Sequence, residues 1–343
     1  MKERELLICG LAQARERASR DGAAPEVARV LRAAGARAVC IVGARDGMDW
    51  LDTEHARGWL AGPPQALESF SGAMQRALAQ GFVAADAAIL ARMHAPEALP
   101  LLSWNEQPPL PPVFGAPSRR LDLYAIVDSA RRLRQVLDAG VRTVQLRIKQ
   151  PPAPDAAWQA MLRDEIRQAV DCSAAGGAEL FVNDHWQLAE ELGATGVHLG
   201  QEDLLALGDA GRAQLRASGL ALGVSSHSLW ELCRARTLSP RYIACGPVWP
   251  TLTKDMPWVP QGLDNLSWWR RVAGVPVTAI GGILDPREVQ AAASTGVDGV
   301  CIVRGLGEDP RQTMPAMEAA LAAGRVQVRA PAAWPHPTLP PDF

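Results

Sequence analysis

The chain has 343 residues, more than a single hydrophobic core usually serves, so one large barrel plus a smaller piece, or two domains, is expected. It is 48% hydrophobic and 21% charged with a formal net charge of -2, a globular balance that gives no electrostatic reason to expect nucleic acid or an anionic membrane surface as partner. Any anionic ligand must then be held by local groups.

The N-terminal MKERELLICGLAQARERASR contains one apolar run, LLICGLA, too short for a signal peptide or a membrane span. Residues 1–104 are alanine-rich, with helical periodicity in PEVARVLRAAGA and in SFSGAMQRALAQGFVAADAAILARMHA but one convincing strand, RAVCIVGA. That pattern predicts a small α/β domain with few strands. Prolines then cluster without apolar periodicity in NEQPPLPPVFGAPSRR, residues 105–120, which predicts an extended linker. From 121 to 325 short β-branched or apolar runs alternate with helix-length amphipathic segments. The strand candidates are LYAIVD (123–128), TVQLRIK (143–149), ELFVND (179–184), GVHLGQ (196–201), ALGVSS (221–226), YIACGPV (242–248), VPVTAIG (275–281) and GVCIVR (299–304). Eight strands and eight helical stretches over roughly 200 residues is the arithmetic of a (β/α)8 TIM barrel. An open doubly wound sheet is the competing architecture, but it usually has fewer strands and a glycine-rich first turn, and VDSARRL has no glycine. A proline-rich tail, 326–343, is expected to be flexible or laid on the surface. The six cysteines are scattered with no CxxC pair, as expected of free thiols in a reducing cytoplasm.

In a parallel α/β sheet all strand C-termini emerge on one face, and ligands bind there. Asp184 and Asp203 follow two successive strands, so both carboxylates are expected at one pocket as a magnesium pair. Magnesium is commonly held by one or two carboxylates together with substrate phosphates and waters. The competing role for each acid is helix capping. Gln145, Arg147 and Lys149 alternate at the end of the second strand, and period two puts them on one side of it, facing a polyanion. Asn183 and Ser225 stand at further strand ends. Thr251, Thr253 and Lys254 supply hydroxyls and an ammonium in the loop after strand six. Glycines after strand seven, Gly282 among them, and Val303-Arg304 after strand eight are placed where such barrels frequently bind phosphate through backbone N–H groups. A second anion is therefore expected opposite the first. His185 and His198 invite a metal reading, yet His198 lies mid-strand and is expected to be a satisfied structural histidine.

Taken together, QLRIK, NDHWQLA, GVHLGQEDL, GVSSH, GPVWPTLTK, AIGGI and GVCIVRGL resemble thiamine-phosphate synthase in order and spacing across residues 121–306. The resemblance implies a transferase that condenses hydroxymethylpyrimidine diphosphate with a thiazole phosphate, releasing pyrophosphate and thiamine phosphate. By it, Gln145, Arg147, Lys149, Asn183, Ser225 and Lys254 would bind the pyrimidine diphosphate, with Arg147, Lys149, Lys254 and Ser225 serving catalysis. Asp184 and Asp203 would bind Mg2+, while Thr251, Thr253, Gly282, Val303 and Arg304 would hold the thiazole phosphate. Small-molecule partners, a cytoplasmic setting and a homo-oligomer of undetermined size are consistent with it. The departures are Ile148, where such enzymes often carry an acid, and Arg304, where they often carry serine. A thiazole tautomerase of similar shape and a non-catalytic thiamine-precursor binding protein are the alternatives, and the first has no use for the acid pair together with three cations.

Residues 49–60, DWLDTEHARGWL, and 71–93, SGAMQRALAQGFVAADAAILARM, resemble the C-terminal half of a hydroxymethylpyrimidine phosphate kinase of ribokinase-like fold. Such kinases carry a Gly-Thr-Gly-Cys anion hole where this chain reads Ala66-Leu67-Glu68-Ser69-Phe70, so the resemblance implies a remnant without kinase activity.

Overall fold

The first residues to form structure are β1 (Leu6–Gly10), α1 (Leu11–Ala18), α2 (Ala24–Ala33), β2 (Ala38–Arg45), β3 (Met48–Asp52), β4 (Arg57–Ala61), α3 (Leu67–Ala79), α4 (Ala84–Arg92) and β5 (Leu101–Leu102). The computed structural model describes residues 6–93, 95, 97–113, 119–251 and 257–340. The five strands make one sheet in the order β1-β2-β3-β4-β5, with β1 and β2 parallel and the rest antiparallel. The expectation of few strands here is corrected. β3 and β4 are MDWLD and RGWLA, whose charged and glycine residues mask their strand character until Trp50 and Trp59 pack edge to face at 5.1 Å across the hairpin. Helices α1 and α2 cover one face of the sheet, Val27 and Leu31 of α2 sharing a core with Leu7, Cys9 and Trp50. On the other face α3 and α4 join a core that continues without a break into the next part of the chain.

That next part comprises β6 (Asp122–Val127), α5 (Ala130–Asp138), β7 (Thr143–Leu146), α6 (Ala156–Ala175), β8 (Glu179–Asn183), α7 (Trp186–Glu191), β9 (Gly196–Leu199), α8 (Gln201–Ala206), α9 (Gly208–Ala217), β10 (Ala221–Ser226), α10 (Leu229–Arg236), β11 (Tyr242–Cys245), α11 (Gly262–Val272), β12 (Val277–Ala279), α12 (Pro286–Ser294), β13 (Gly299–Ile302), a 3-10 turn at Arg304–Leu306, and α13 (Pro310–Val326). β6 to β13 close a parallel barrel in sequence order, the fold expected from the sequence. Each strand alternates sides. Leu123, Ala125, Val197, Leu199, Ile243 and Cys245 face the helices, whereas Tyr124, Ile126, Tyr242 and Ala244 fill the interior with Phe181 and Cys301. Two glycines make this interior possible. A Cβ on Gly223 would lie 2.3 Å from the Tyr242 ring, and one on Gly196 would lie 2.8 Å from the Phe181 ring.

The tail is laid on the surface rather than loose. His336 exchanges hydrogen bonds with Asn265 and Gln261, Val259 N–H donates to the Thr338 carbonyl at 2.9 Å, and Trp334 Nε1 donates to Gln80 Oε1 at 3.1 Å. The six cysteines are free, and no helix among the described residues is long and apolar enough to cross a membrane.

Candidate active site at the strand C-termini

Because all eight strands run the same way, the described residues among those predicted at or just after a strand end lie on one rim of the barrel. Thr253 and Lys254 lie outside the described residues. Gln145 is inside β7 and 2% exposed, with its side chain in the barrel interior. The strand ends at Leu146, although Arg147 N–H still donates to the Val127 carbonyl at 2.7 Å. The strict alternation expected through Lys149 therefore stops short: Gln145 is buried, Arg147 half-buried and Lys149 exposed. The strand is four residues long because Lys149-Gln150-Pro151-Pro152 cannot continue a ladder past prolines that lack N–H donors.

Asn183 closes β8 and is buried. Asp184 is not a helix cap. The cap position of α7 belongs to His185, which makes no capping side-chain bond. Asp184 instead holds a left-handed backbone, φ 65, while its N–H donates to the His198 carbonyl at 3.1 Å. That conformation is uncommon for a residue with a side chain and is concentrated at functional sites. Asp184 is exposed to solvent on one side and crowded by protein on the other. This partial burial raises its pKa above the usual carboxylate range, with the charge of Asp203 adding to the rise and His185 and Arg147 opposing it. Two acids that repel one another beside an arginine are an oxygen donor set suited to a hard divalent cation.

Asp203 has a second duty. It is the third residue of α8, and its Oδ2 accepts the Gly200 N–H at 2.9 Å, so its capping role is real in reciprocal form. A carboxylate has about four acceptor positions, and this bond uses one. Among the described residues no group of three or more His, Cys, Asp and Glu side chains could hold a metal, so a protein-only cage is not what this rim offers.

The residue missed from sequence is His198. It is satisfied, as expected, but its partners place it in the site: Nδ1 meets the Tyr242 hydroxyl at 2.7 Å and Nε2 meets Ser225 Oγ at 2.8 Å. The Tyr242 hydroxyl also meets that of Tyr124 at 2.6 Å, and Tyr124 accepts from Gln145 Nε2 at 3.0 Å. Burial pushes both tyrosines well above their ordinary pKa, so they are neutral. Burial, followed by the nearby charges of Arg147 and His227, pushes His198 down to about 4, so it too is neutral.

The protons can then be followed along the chain. Gln145 donates to Tyr124, Tyr124 to Tyr242, and Tyr242 to His198 Nδ1. His198 carries its own proton on Nε2 and donates to Ser225, whose hydroxyl hydrogen is left to point outward into the mouth. The sequence signal was available. Val197 and Leu199 had to face the helices, so His198 between them had to face inward.

Across the mouth, on the same rim, the loops after β11, β12 and β13 pack on one another. Val248 and Trp249 N–H donate to the carbonyls of Ile280 and Gly281 at 2.9 and 3.1 Å. Gly282 has φ 76, and a Cβ there would lie 2.5 Å from Trp249. Gly305 sits so close to Leu284 that a Cβ would lie 2.8 Å from its carbonyl oxygen. Val303 and Arg304 are exposed where the 3-10 turn begins, and Thr251 is half-buried.

A family model described as thiamine monophosphate synthase matches residues 123–306, the barrel from its first strand to the turn after its last. The chain belongs to the thiamine monophosphate synthase family. Thiamine-phosphate synthase of Rhizobium etli is 44% identical over 193 residues, spanning 56% of this chain and 90% of that protein. The Yersinia pestis enzyme of the same name is 46% identical over 195 residues, 56% of this chain and 85% of that protein. Among solved structures, the thiamine phosphate pyrophosphorylase from Pyrococcus furiosus superposes with a TM-score of 0.51 at 27% identity, covering 60% of this chain and 96% of that one. The family match leaves residues 6–104 outside it.

Proposed function

We propose that the chain condenses hydroxymethylpyrimidine diphosphate with a thiazole phosphate, forming thiamine phosphate and releasing pyrophosphate. The observation that carries the reading is the joining of opposite chemistries on one rim of a barrel of this family: the acid pair Asp184 and Asp203 beside Arg147, facing glycine-lined loops after β12 and β13. The pyrimidine methylene–oxygen bond breaks with its electron pair leaving on pyrophosphate, and the thiazole nitrogen then forms the new carbon–nitrogen bond. Magnesium, when held by Asp184 and Asp203 together with the diphosphate, supplies charge neutralisation of the leaving group. Arg147, Lys149 and Lys254 add positive charge to the same oxygens. Gln145 and Asn183 orient the pyrimidine, and Ser225, oriented by its hydrogen bond with His198, donates a hydrogen bond to it or to the departing oxygen. Thr251, Thr253, Gly282, Val303 and Arg304 receive the thiazole phosphate.

Neither alternative gains support from the geometry, since proton transfer on a thiazole alone would leave the acid pair and its arginine without a task. The test follows thiamine phosphate made by the purified chain from both substrates. Product that requires Mg2+ and disappears with EDTA is expected; product undiminished by EDTA would refute the metal assignment, and no product at all would refute the activity. Asp203→Ala should cut turnover at least about tenfold while costing only about 0.5–1 kcal/mol of stability, the worth of its single capping bond.

The proposal for residues 66–70 is loss of kinase chemistry. α3 begins at Leu67 with Ala66 at its cap, no capping side chain, and Glu68 in its first turn, where a carboxylate repels phosphate. ATP-dependent phosphorylation of hydroxymethylpyrimidine phosphate by the purified chain would overturn it.

A further inference from the structure

Two helices that would ordinarily show a face to water are buried throughout. In α4, every residue from Ala85 to Arg92 is buried, and in α10 so is every residue from Leu229 to Ala235. They are buried against each other. The composition of α4, AADAAILAR, suits this, because alanine lets a helix approach closely on all sides and an all-round apolar helix belongs in an interior. Two residues break the pattern, Arg92, which is paired with Asp49 at 2.8 Å within the N-terminal segment, and Asp86. Asp86 is 1% exposed, and a carboxyl group in such a place is costly unless it is hydrogen-bonded. Its Oδ1 accepts the backbone N–H groups of Leu229 at 2.9 Å and Trp230 at 3.1 Å, 143 and 144 residues away in the chain.

Those are two of the donors that the first turn of any helix leaves without an intrahelical partner. Ser228, the local cap of α10, accepts from Glu231 N–H at 3.3 Å, so the remote Asp86 completes what the local cap leaves undone. α10 is the helix that follows β10, whose Ser225 is hydrogen-bonded to His198. Further bonds from the same side fix the helix along its length. His55 packs on Trp230 with ring centroids 5.3 Å apart, Arg234 Nη2 reaches the Arg57 carbonyl at 3.3 Å, Arg236 Nη1 reaches that of Leu99 at 2.9 Å, and Trp104 Nε1 donates to Thr237 Oγ1 at 3.0 Å.

We propose that residues 6–104 serve the barrel as a brace: Asp86 is a positioning residue that fixes the first turn of α10 and thereby the Ser225–Ser228 segment against His198. The proposal rests on the reading of Ser225 as part of the active site. It explains why a segment whose anion hole is gone keeps a buried acid in an alanine-rich helix: the acid's partners are in the barrel.

The first measurement needs no substitution. Hydrogen–deuterium exchange in the full-length chain should find the Leu229 and Trp230 amides as slow as those inside α4, whereas rapid exchange at both, the usual state of uncapped first-turn amides, would overturn the brace. Asp86→Ala should then lower kcat/KM by about tenfold or more, since small misplacements far from the chemistry cost that much or more, with exchange accelerated across 225–232. Asp86→Asn keeps an acceptor oxygen and should restore kcat/KM to within about threefold. If Asp86→Ala does not fold, Asp86→Ser, whose shorter side chain cannot reach, replaces it with the same expected loss. Met74→Ala, a buried α3 position that touches no cap, is the control: it should lower stability without changing kcat/KM. An Asp86→Ala protein that is destabilised like the control yet retains its kcat/KM would show that Asp86 only holds the fold and would sink the proposal. Exchange is read without substrate, so a native chain that protects these amides but makes no thiamine phosphate counts against the proposed activity and leaves the brace supported.

Discussion

Tyr242→Phe removes one oxygen from the centre of the barrel and leaves the ring where it is, wedged over Gly223 and edge to face with Phe181 and Tyr124 at 5.1 and 5.5 Å. Apolar burial is therefore unchanged, and the cost is that of two lost hydrogen bonds. His198 Nδ1 loses its donor, and the Tyr124 hydroxyl loses its acceptor while keeping its contact with Gln145. A buried polar group left unpaired costs about 1–3 kcal/mol, so a loss of about 2–4 kcal/mol is expected once the retained Gln145 contact is credited. Urea unfolding monitored by circular dichroism reads this directly.

The chemical consequence is separate. Without the Tyr242 proton, Nδ1 no longer fixes the histidine tautomer, and Nε2 is free to accept from Ser225 instead of donating to it. Losing one aligned donor in an active site typically costs about 10²–10³ in kcat, so a drop of at least about tenfold should accompany the destabilisation. Nitrogen-15 shifts of His198 should show the proton on Nε2 in the native chain and a mixture in Tyr242→Phe. Tyr124→Phe breaks the same 2.6 Å bond, so the double variant should cost less than the sum of the singles by about 1 kcal/mol. A loss under about 0.5 kcal/mol with an unchanged His198 spectrum would refute the relay, because no interior chain of this kind could be cut so cheaply.

Three further outcomes are expected. His198 falls from its ordinary 6.5 to about 4 in the fold, so its contribution is intact above pH 6.5 and is lost as pH falls toward 4. The loss amounts to about 3 kcal/mol, and His198→Gln should flatten that acid limb in unfolding midpoints measured from pH 7 to 4. Asp86 moves the other way: burial, with a smaller push from Glu231, lifts it from 3.8 to about 8 against the pull of its two backbone partners. Its neutral form is therefore favoured in the fold, stability falls as pH rises from about 4 through 8, and Asp86→Asn should remove that fall in thermal midpoints taken between pH 6 and 9. Arg304→Ser, at an exposed position, should leave the thermal midpoint unchanged and raise KM for the thiazole phosphate several-fold. An unchanged KM would leave that phosphate to backbone donors alone.

The barrel was legible because each strand announces itself by a short apolar run between turn residues, and because a parallel strand buried on both faces has little room for ambiguity. The N-terminal sheet was not. Met48–Asp52 and Arg57–Ala61 alternate tryptophan with aspartate, arginine and glycine, and Asp49 is tolerated there only because Arg92, forty-three residues on, meets it at 2.8 Å in the interior. Partners so distant cannot be read from a local window. The acid pair was visible as residues after strand ends, yet its two members differ in ways that only coordinates reveal: Asp184 in a left-handed turn with no cap to serve, Asp203 with one oxygen already bonded to Gly200. His198, expected to be a satisfied structural histidine, is satisfied in part by Ser225, a strand-end partner that a local window does not show.

Barrel interiors are usually filled with branched aliphatic side chains, which need no partners. Here the upper interior holds Gln145, Tyr124, Tyr242 and His198 instead, and two glycines are placed to admit the rings. Each polar group is satisfied by the next, so the chain adds little to stability over an aliphatic filling and is costly to break at any point. What such a filling gives that leucine cannot is direction. A tautomer is set at one end and a hydroxyl proton is aimed at the other. The departures from ordinary core chemistry, an aspartate in an alanine-rich helix and a histidine in a barrel strand, both bond the stretch that joins β10 to α10, His198 at Ser225 from inside the barrel and Asp86 at Leu229 and Trp230 from outside. Local rules of packing are broken where a site must be held in one arrangement, and here two breaks from opposite sides hold the two ends of the segment from Ser225 to Trp230.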